Sequence, residues 1–280
     1  MELYKVRKFF FYTCIHIFLI IYCIISVYPL LRIVAVSLRP GNRLFSTNMA
    51  IIPADASFIS YIKVLTETHF MLWIWNSLII TVTTSLVGVI IASAAGYAFS
   101  RFSFPGKKIG LISILGTQMI PAGMLLLPVF IILIRLHWVN SYIGLVVAYS
   151  ISGLPFSIWI LKGYYDTIPR SLEEAALVDG TSMLGAFFRI ILPLSTPALA
   201  IAFLFNFTMA WNEFLVARVV LQRSEIYTWT LGLFELQGQY ITQWGMFCAA
   251  SIMITIPVLI LFMYSSKWLI SGLTLGGVKG

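Results

Sequence analysis

The sequence predicts an all-α integral membrane protein with six transmembrane helices. Hydrophobic residues make up 60% of the chain and charged residues only 10%, against about 25% charged in a soluble domain. Six windows lack Asp, Glu, Lys and Arg, at 9–31, 68–100, 109–134, 136–161, 190–212 and 236–266. Each is at least as long as the roughly 20 apolar residues a helix needs to cross the hydrocarbon. The runs are continuously apolar, without the alternation a barrel strand requires, so helices satisfy the backbone.

The windows place spans at about 9–31, 76–99, 109–134, 142–161, 194–216 and 243–266 within a single transmembrane domain, 1–280. The first span has a basic lead, Lys5, Arg7 and Lys8, and an Ala35-Val36-Ser37 triplet beyond it. Its apolar run exceeds the roughly 7–15 residues of a cleaved leader, so it reads as an uncleaved anchor. In the second span Gly88, Ala92 and Gly96 recur every four residues, which strips one helix face of bulk and admits a close neighbour. Pro121, Pro128, Pro155 and Pro257 fall inside spans, where each removes a backbone donor and permits a kink.

With both ends inside, 11 of the 18 Lys and Arg lie on inner segments and 7 on outer ones, which favours the N-in, C-in orientation. The net charge of +8 is therefore read as basic residues at the membrane edges that set orientation. No basic stripe interleaved with aromatics points to nucleic acid. Cys14, Cys23 and Cys248 lie in apolar runs, and His16, His69 and His137 are scattered, so no metal site is assigned.

The inner loop between the fourth and fifth spans, 163–193, carries the most information. Ser171-Leu172-Glu173-Glu174 has the form of a capping box, in which Ser171 caps the Glu174 amide and Glu174 reaches back. Two acids in the first turn suit the positive helix end. Ala175 and Ala176 give a small-sided face, with Leu177 after them. Asp179-Gly180 then ends the helix, Gly180 in the left-handed conformation. A second short helix is expected from Thr181 or Ser182 to Leu192-Pro193. The first helix has about two turns and is marginal alone, so it packs either on its own protein or in a partner's groove.

Glu174-Ala175-Ala176, three residues, Gly180, nine residues, Ile190, one residue and Leu192-Pro193 resemble the EAA-loop signature of ABC importer permeases at every fixed position. Trp211-Asn212-Glu213-Phe214 and the ending Gly272-Leu273-Thr274-Leu275-Gly276-Gly277-Val278-Lys279-Gly280 are similar to the maltose-transporter G type of that family. The resemblance spans the whole chain. It implies the type I ABC importer permease fold and a non-enzymatic, pore-forming subunit in the bacterial inner membrane. It further implies a second permease subunit, two cytoplasmic ATPase subunits holding ATP and Mg, and an extracytoplasmic solute-binding protein. Carried over by motif, Glu174, Ala175, Ala176 and Gly180 would form the coupling elbow, and Leu192 and Pro193 would join it to span five. Glu173, Leu177 and Asp179 belong to the same coupling segment. Between the two acids, the motif favours Glu174 as the partner-facing one. Gly272, Gly276 and Gly277 in the tail, 268–280, would reach toward the ATPases, and the outer loop Gln222 to Gln239 would face the binding protein. No Walker A pattern occurs, so ATP hydrolysis is expected elsewhere.

Intramembrane polar residues are functional candidates: Gln118, Asn206, Thr208, Asn212 and Glu213, with Tyr149 and Trp159 as aromatic faces for a sugar. The alternative for Gln118, Asn206 and Thr208 is helix-to-helix hydrogen bonding, and the same alternative stands for Glu213, placed near the outer interface. The expected cargo is a sugar or sugar derivative; the same architecture could move a polyamine or a phosphate ester. An ion-driven carrier would need charge at mid-span, and a membrane enzyme would need a catalytic cluster. The sequence offers neither.

Overall fold

A computed structural model of the protein describes residues 2–41, 52–238 and 242–277, with the side chains of residues 2, 3, 5, 6 and 267–277 left aside. The described residues form thirteen α-helices: α1 (Glu2–Ser37), α2 (Ile59–Glu67), α3 (Phe70–Arg101), α4 (Lys107–Gly116), α5 (Ala122–Arg135), α6 (Tyr142–Thr167), α7 (Ser171–Val178), α8 (Met183–Ala186), α9 (Leu192–Leu194), α10 (Thr196–Trp211), α11 (Leu215–Val220), α12 (Trp229–Glu235) and α13 (Trp244–Gly277). Four stretches are long and apolar enough to cross a membrane: Arg7–Ser37, Phe70–Arg101, Tyr142–Thr167 and Trp244–Ser266. Two bent pairs raise that number to six if each is one span. The tail expected from residue 268 continues α13 as helical backbone through Gly277, and Val278, Lys279 and Gly280 lie outside the described residues.

The third predicted span is one of the bent pairs. Its halves, Lys107–Met119 and Ala122–Arg135, meet at 104°. Pro121 causes the break: it has no N–H to donate, and it forces Ile120 into an extended backbone (φ −79°, ψ 122°) that ends the first half. Pro128, Pro155 and Pro257 sit inside continuous helices instead. The fifth predicted span, 194–216, is one continuous helix only from Thr196 to Trp211, with the end of α9 before it and the start of α11 after it. The segment before it, Met183–Leu194, turns away by 77°. This segment includes a five-residue π turn, Phe187–Ile191. The widened turn precedes Pro193, whose missing donor and bulky ring a regular helix would not accommodate.

The chain falls into two compact units. In the smaller, residues 1–70 and 233–254, Ser37 Oγ and the Tyr61 hydroxyl meet at 2.8 Å and tie α1 to α2. Most of α1 is exposed apolar surface, as a lipid-facing helix requires.

The larger unit, residues 71–232 and 255–280, contains two apolar clusters. One joins Ile80, Leu133, Leu145, Tyr149, Ala210 and Leu231. The other joins Ala92, Tyr97, Leu161, Tyr165, Phe187 and Ile191. A buried polar layer accompanies them where α3, α6 and α10 cross. Asn206 of α10 donates through Nδ2 to Ser157 Oγ and to the Ala202 carbonyl, both at 2.7 Å. Its Oδ1 is buried without a hydrogen-bond partner and faces Gly88 and Gly153. The small-residue face of the second span therefore meets this asparagine, and Gly96 lies against the α6 backbone at Lys162.

Gly153→Ala would place a methyl carbon against Asn206 Oδ1. The amide would have to leave its two bonds, at an overpacking cost of about 1–3 kcal/mol. A lower melting temperature for the detergent-solubilised variant is the expected result, and an unchanged one would show that the crossing is loose.

Candidate functional site

Helix α7 does not begin with the expected capping box. Ile168 is extended, and Pro169 opens a turn at Pro169–Arg170 in which Leu172 N–H donates to the Pro169 carbonyl and both Glu173 and Glu174 N–H to that of Arg170. Arg170 is thus the N-cap, with no side-chain cap bond. Ser171 already lies in the first turn, where its hydroxyl cannot adopt the extended cap geometry. The C-terminus matches the expectation. Gly180 is left-handed at φ +82°. Thr181 N–H donates to the Ala176 carbonyl and Gly180 N–H to that of Leu177, a complete Schellman closure. Ser182 then caps α8, accepting from Gly185 N–H at 3.1 Å.

The two acids of α7 point in opposite directions. Glu174, Ala175, Leu177, Val178, Asp179 and Gly180 are exposed, with Ala176 half-buried. Val178 exposes 87% of its surface. Glu173 is 5% exposed. It accepts from the Tyr97 hydroxyl at 2.6 Å and forms an ion pair with Arg101 Nε. Arg101 also donates to the end of α6, reaching the Tyr165 carbonyl at 2.8 Å and the Ile168 carbonyl at 3.0 Å, and to Ser100 Oγ at 3.1 Å. The Tyr165 carbonyl also accepts from the Ile168 N–H at 3.1 Å, and a cation at a helix C-terminus is favoured there. Tyr97 is packed in turn against Phe187 of the π turn, with ring centroids 4.7 Å apart.

Beyond α7, Leu192 is half-buried and Pro193 exposed, and the corner into α10 falls at the buried Ser195.

Three sequence candidates meet at one cleft of about 450 Å³, which Gln118, Tyr149, Phe205, Met209 and Glu213 help to line. Gln118 sits at the break before Pro121 and donates to the Ser152 carbonyl at 2.9 Å. Glu213 is half-buried. Its carboxylate accepts from the Val216 and Ala217 amides at 2.9–3.1 Å, which fixes it in place. The buried Tyr149 hydroxyl borders that carboxylate. Asn206 does not enter the cleft; it is the helix-crossing residue described above. Thr208 and Asn212 are exposed, bonding back to the Leu204 and Thr208 carbonyls of their own helix. Trp159 is exposed away from the cleft lining.

The chain matches the family of binding-protein-dependent transport system inner membrane components over residues 85–272. The chain belongs to that family. It is a multi-pass membrane protein and a non-catalytic transporter permease. It is 35% identical to the maltose/maltodextrin transport system permease protein MalG of Escherichia coli K12, over 95% of each chain. It is 35% identical to the galactooligosaccharides transport system permease protein GanQ of Bacillus subtilis, over 99% of this chain and 98% of that one. A chain of a bacterial ABC transporter involved in import of the acidic polysaccharide alginate shares the fold, with a TM-score of 0.82 and 24% identity over 92% of this chain and 96% of that one.

The permease also contains a set of polar ties that the apolar windows do not reveal. Asn76, buried in α3, accepts from the Tyr142 hydroxyl at 2.6 Å and donates to the Glu225 and Tyr227 carbonyls at 2.9 and 3.0 Å. Ser77 accepts from Trp229 N–H at 2.8 Å. Asn140, left-handed at φ +57°, accepts from Gln222 N–H at 2.5 Å. Together they fasten the segment after α11 to the helices beneath it. Asn76 carried a readable signal, since it is an amide in an otherwise apolar window. Gln239, the far end of the expected outer loop, lies outside the described residues.

Proposed function

We propose that this chain is a pore-forming subunit of an ATP-driven importer that carries a sugar or sugar derivative across the bacterial inner membrane. The supporting observation is the exposed face of α7. A two-turn helix closed by a left-handed glycine presents Glu174, Ala175, Leu177 and Asp179 with no covering element among the described residues. Its inner side is held to α3 through Glu173, and the small Ala175 on its outer side admits a close partner. In this reading two ATPase subunits, which hold ATP and Mg, grip α7 from the cytosol. A second permease subunit completes the pore, and a solute-binding protein docks on the outer loop. The chain crosses the membrane six times with both ends inside. Gly272, Gly276 and Gly277 lie on the ATPase side.

The cleft chemistry suits a carbohydrate. A fixed carboxylate accepts hydroxyl donors, the Gln118 amide does both, and Tyr149 and Phe205 offer ring faces to a sugar. The curated relatives named above carry maltodextrins and galactooligosaccharides, which supports the same class here. The test is calorimetry on the solute-binding protein co-expressed with this permease, across maltodextrins, galactooligosaccharides, uronate oligomers and polyamines. Saturable binding of an oligosaccharide, together with ATPase subunits co-purifying with the permease, is expected. Tight polyamine binding with no sugar binding would overturn the sugar assignment.

A further inference from the structure

We propose that Glu173 is a positioning residue that locks α7 to α3 and α6, so that a displacement of α7 is delivered to the membrane helices through the Arg101 guanidinium. The inference rests on the proposed function, because it takes α7 as the element the ATPases move.

Three features of the geometry carry it. First, Glu173 is turned away from the surface that α7 exposes. Its Oε2 accepts from Tyr97 and its Oε1 pairs with Arg101, both on α3, and the side chains of the ion pair are only 6% and 7% exposed. Second, Arg101 is a branch point. One planar group holds the acid of α7 and the last carbonyls of α6 at Tyr165 and Ile168. A guanidinium fixes all these directions at once because its donors are rigidly forked. Third, a parallel tie runs beside it. Asp166 of α6 accepts from Ser100 Oγ at 2.7 Å and pairs with Lys162, while Arg170 donates to the Ser100 carbonyl at 3.3 Å. The end of α3, the end of α6 and the start of α7 therefore share one polar joint, buried at the Glu173–Arg101 pair and open to the surface at Asp166 and Arg170.

A joint of this kind resists sliding in a way that apolar contacts do not. Side chains in an oily contact exchange neighbours at small cost. A buried ion pair cannot separate without stranding charge. The neighbouring Tyr97–Phe187 contact supplies packing, and the Glu173–Arg101 pair supplies direction. Glu174, one residue later and exposed, is left for the partner.

The experiment uses the assembled complex of this permease with its partner permease and ATPases, reconstituted in lipid nanodiscs. Hydrogen exchange is followed at 95–101 of α3 and at 171–178 of α7, without nucleotide and after trapping with ATP and vanadate. In the native complex, trapping should change exchange in both segments. In Glu173→Gln, ATPase co-purification and the α7 response should persist. The α3 response should shrink by about two- to thirty-fold, the range over which residues along a coupling network act. Tyr97→Phe keeps the ion pair and removes one bond, so it should reduce the response less, and it serves if Glu173→Gln fails to assemble. A purely structural role would lower assembly and both responses together. A full α3 response in Glu173→Gln, or loss of ATPase binding by a variant still folded in the membrane, overturns the inference. If the native permease retains no ATPase at all, the proposed function itself fails.

Discussion

Arg101→Met is expected to lower the unfolding free energy of the permease by about 3–5 kcal/mol, the usual cost of removing one partner from a buried ion pair. The substitution conserves much of the apolar stem and its packing, so the loss isolates the guanidinium. The Glu173 carboxylate loses its charged partner and keeps the Tyr97 hydroxyl, the Tyr165 carbonyl keeps only the Ile168 N–H, and the Ile168 carbonyl loses the Arg101 donor. All sit in a region walled by Tyr97, Phe187 and Tyr165, where water does not readily replace the lost donors. Thermal unfolding in mild detergent measures the effect. Arg101→Met/Glu173→Leu, which removes both charges, should recover a substantial part of the loss, because the penalty lies in the unpaired charge. A double variant no more stable than Arg101→Met would assign the damage to the α6 carbonyls alone. A fully stable Arg101→Met would mean the joint is solvated.

Gly180→Val is expected to uncouple ATP hydrolysis from transport. Nothing lies within 4 Å of the position a Cβ would occupy at Gly180, so the effect is conformational and not steric. An L residue at φ +82° costs about 1–2 kcal/mol, and a β-branched one pays at the upper end. The strain falls on an eight-residue helix with little stability of its own. The backbone would relax into a negative φ, lose the Thr181-to-Ala176 bond and swing α8 away from α7. Uptake of maltotriose or galactotriose per ATP hydrolysed, in vesicles carrying the whole complex, should fall by about tenfold. Gly180→Asn, which tolerates the left-handed region, should keep most of it. Equal coupling in the native and Val forms would remove α7 as the elbow.

Much of this protein was legible from its chain. The apolar windows announced the spanning helices because hydrocarbon selects on composition over some 20 consecutive residues, and no tertiary contact is needed to read it. The Gly180 stop was legible for a related reason: the left-handed cap is a local backbone requirement. The Gly88-Ala92-Gly96 face likewise declared that a neighbour must come close. It could not say that the neighbour would be Asn206, more than a hundred residues later. Boundaries at prolines were harder. Pro121 and Pro128 are equally visible in sequence, yet only the first breaks its helix.

Local patterning misled the reading at Ser171. The four residues Ser171-Leu172-Glu173-Glu174 satisfy a capping box taken alone, but Pro169 starts the turn earlier and moves the cap to Arg170. From that shift follows the division of labour between the two acids. Sequence by itself determined that this is a protein of membrane helices with one acidic, alanine-bearing short helix ended by glycine, since those properties depend on neighbours along the chain. Only the tertiary structure decided which acid faces inward, that Arg101 is its partner, and that Gln118, Tyr149 and Glu213 share a cleft. These are choices of direction for side chains far apart in sequence, made when helices pack and each buried charge or amide must find its complement.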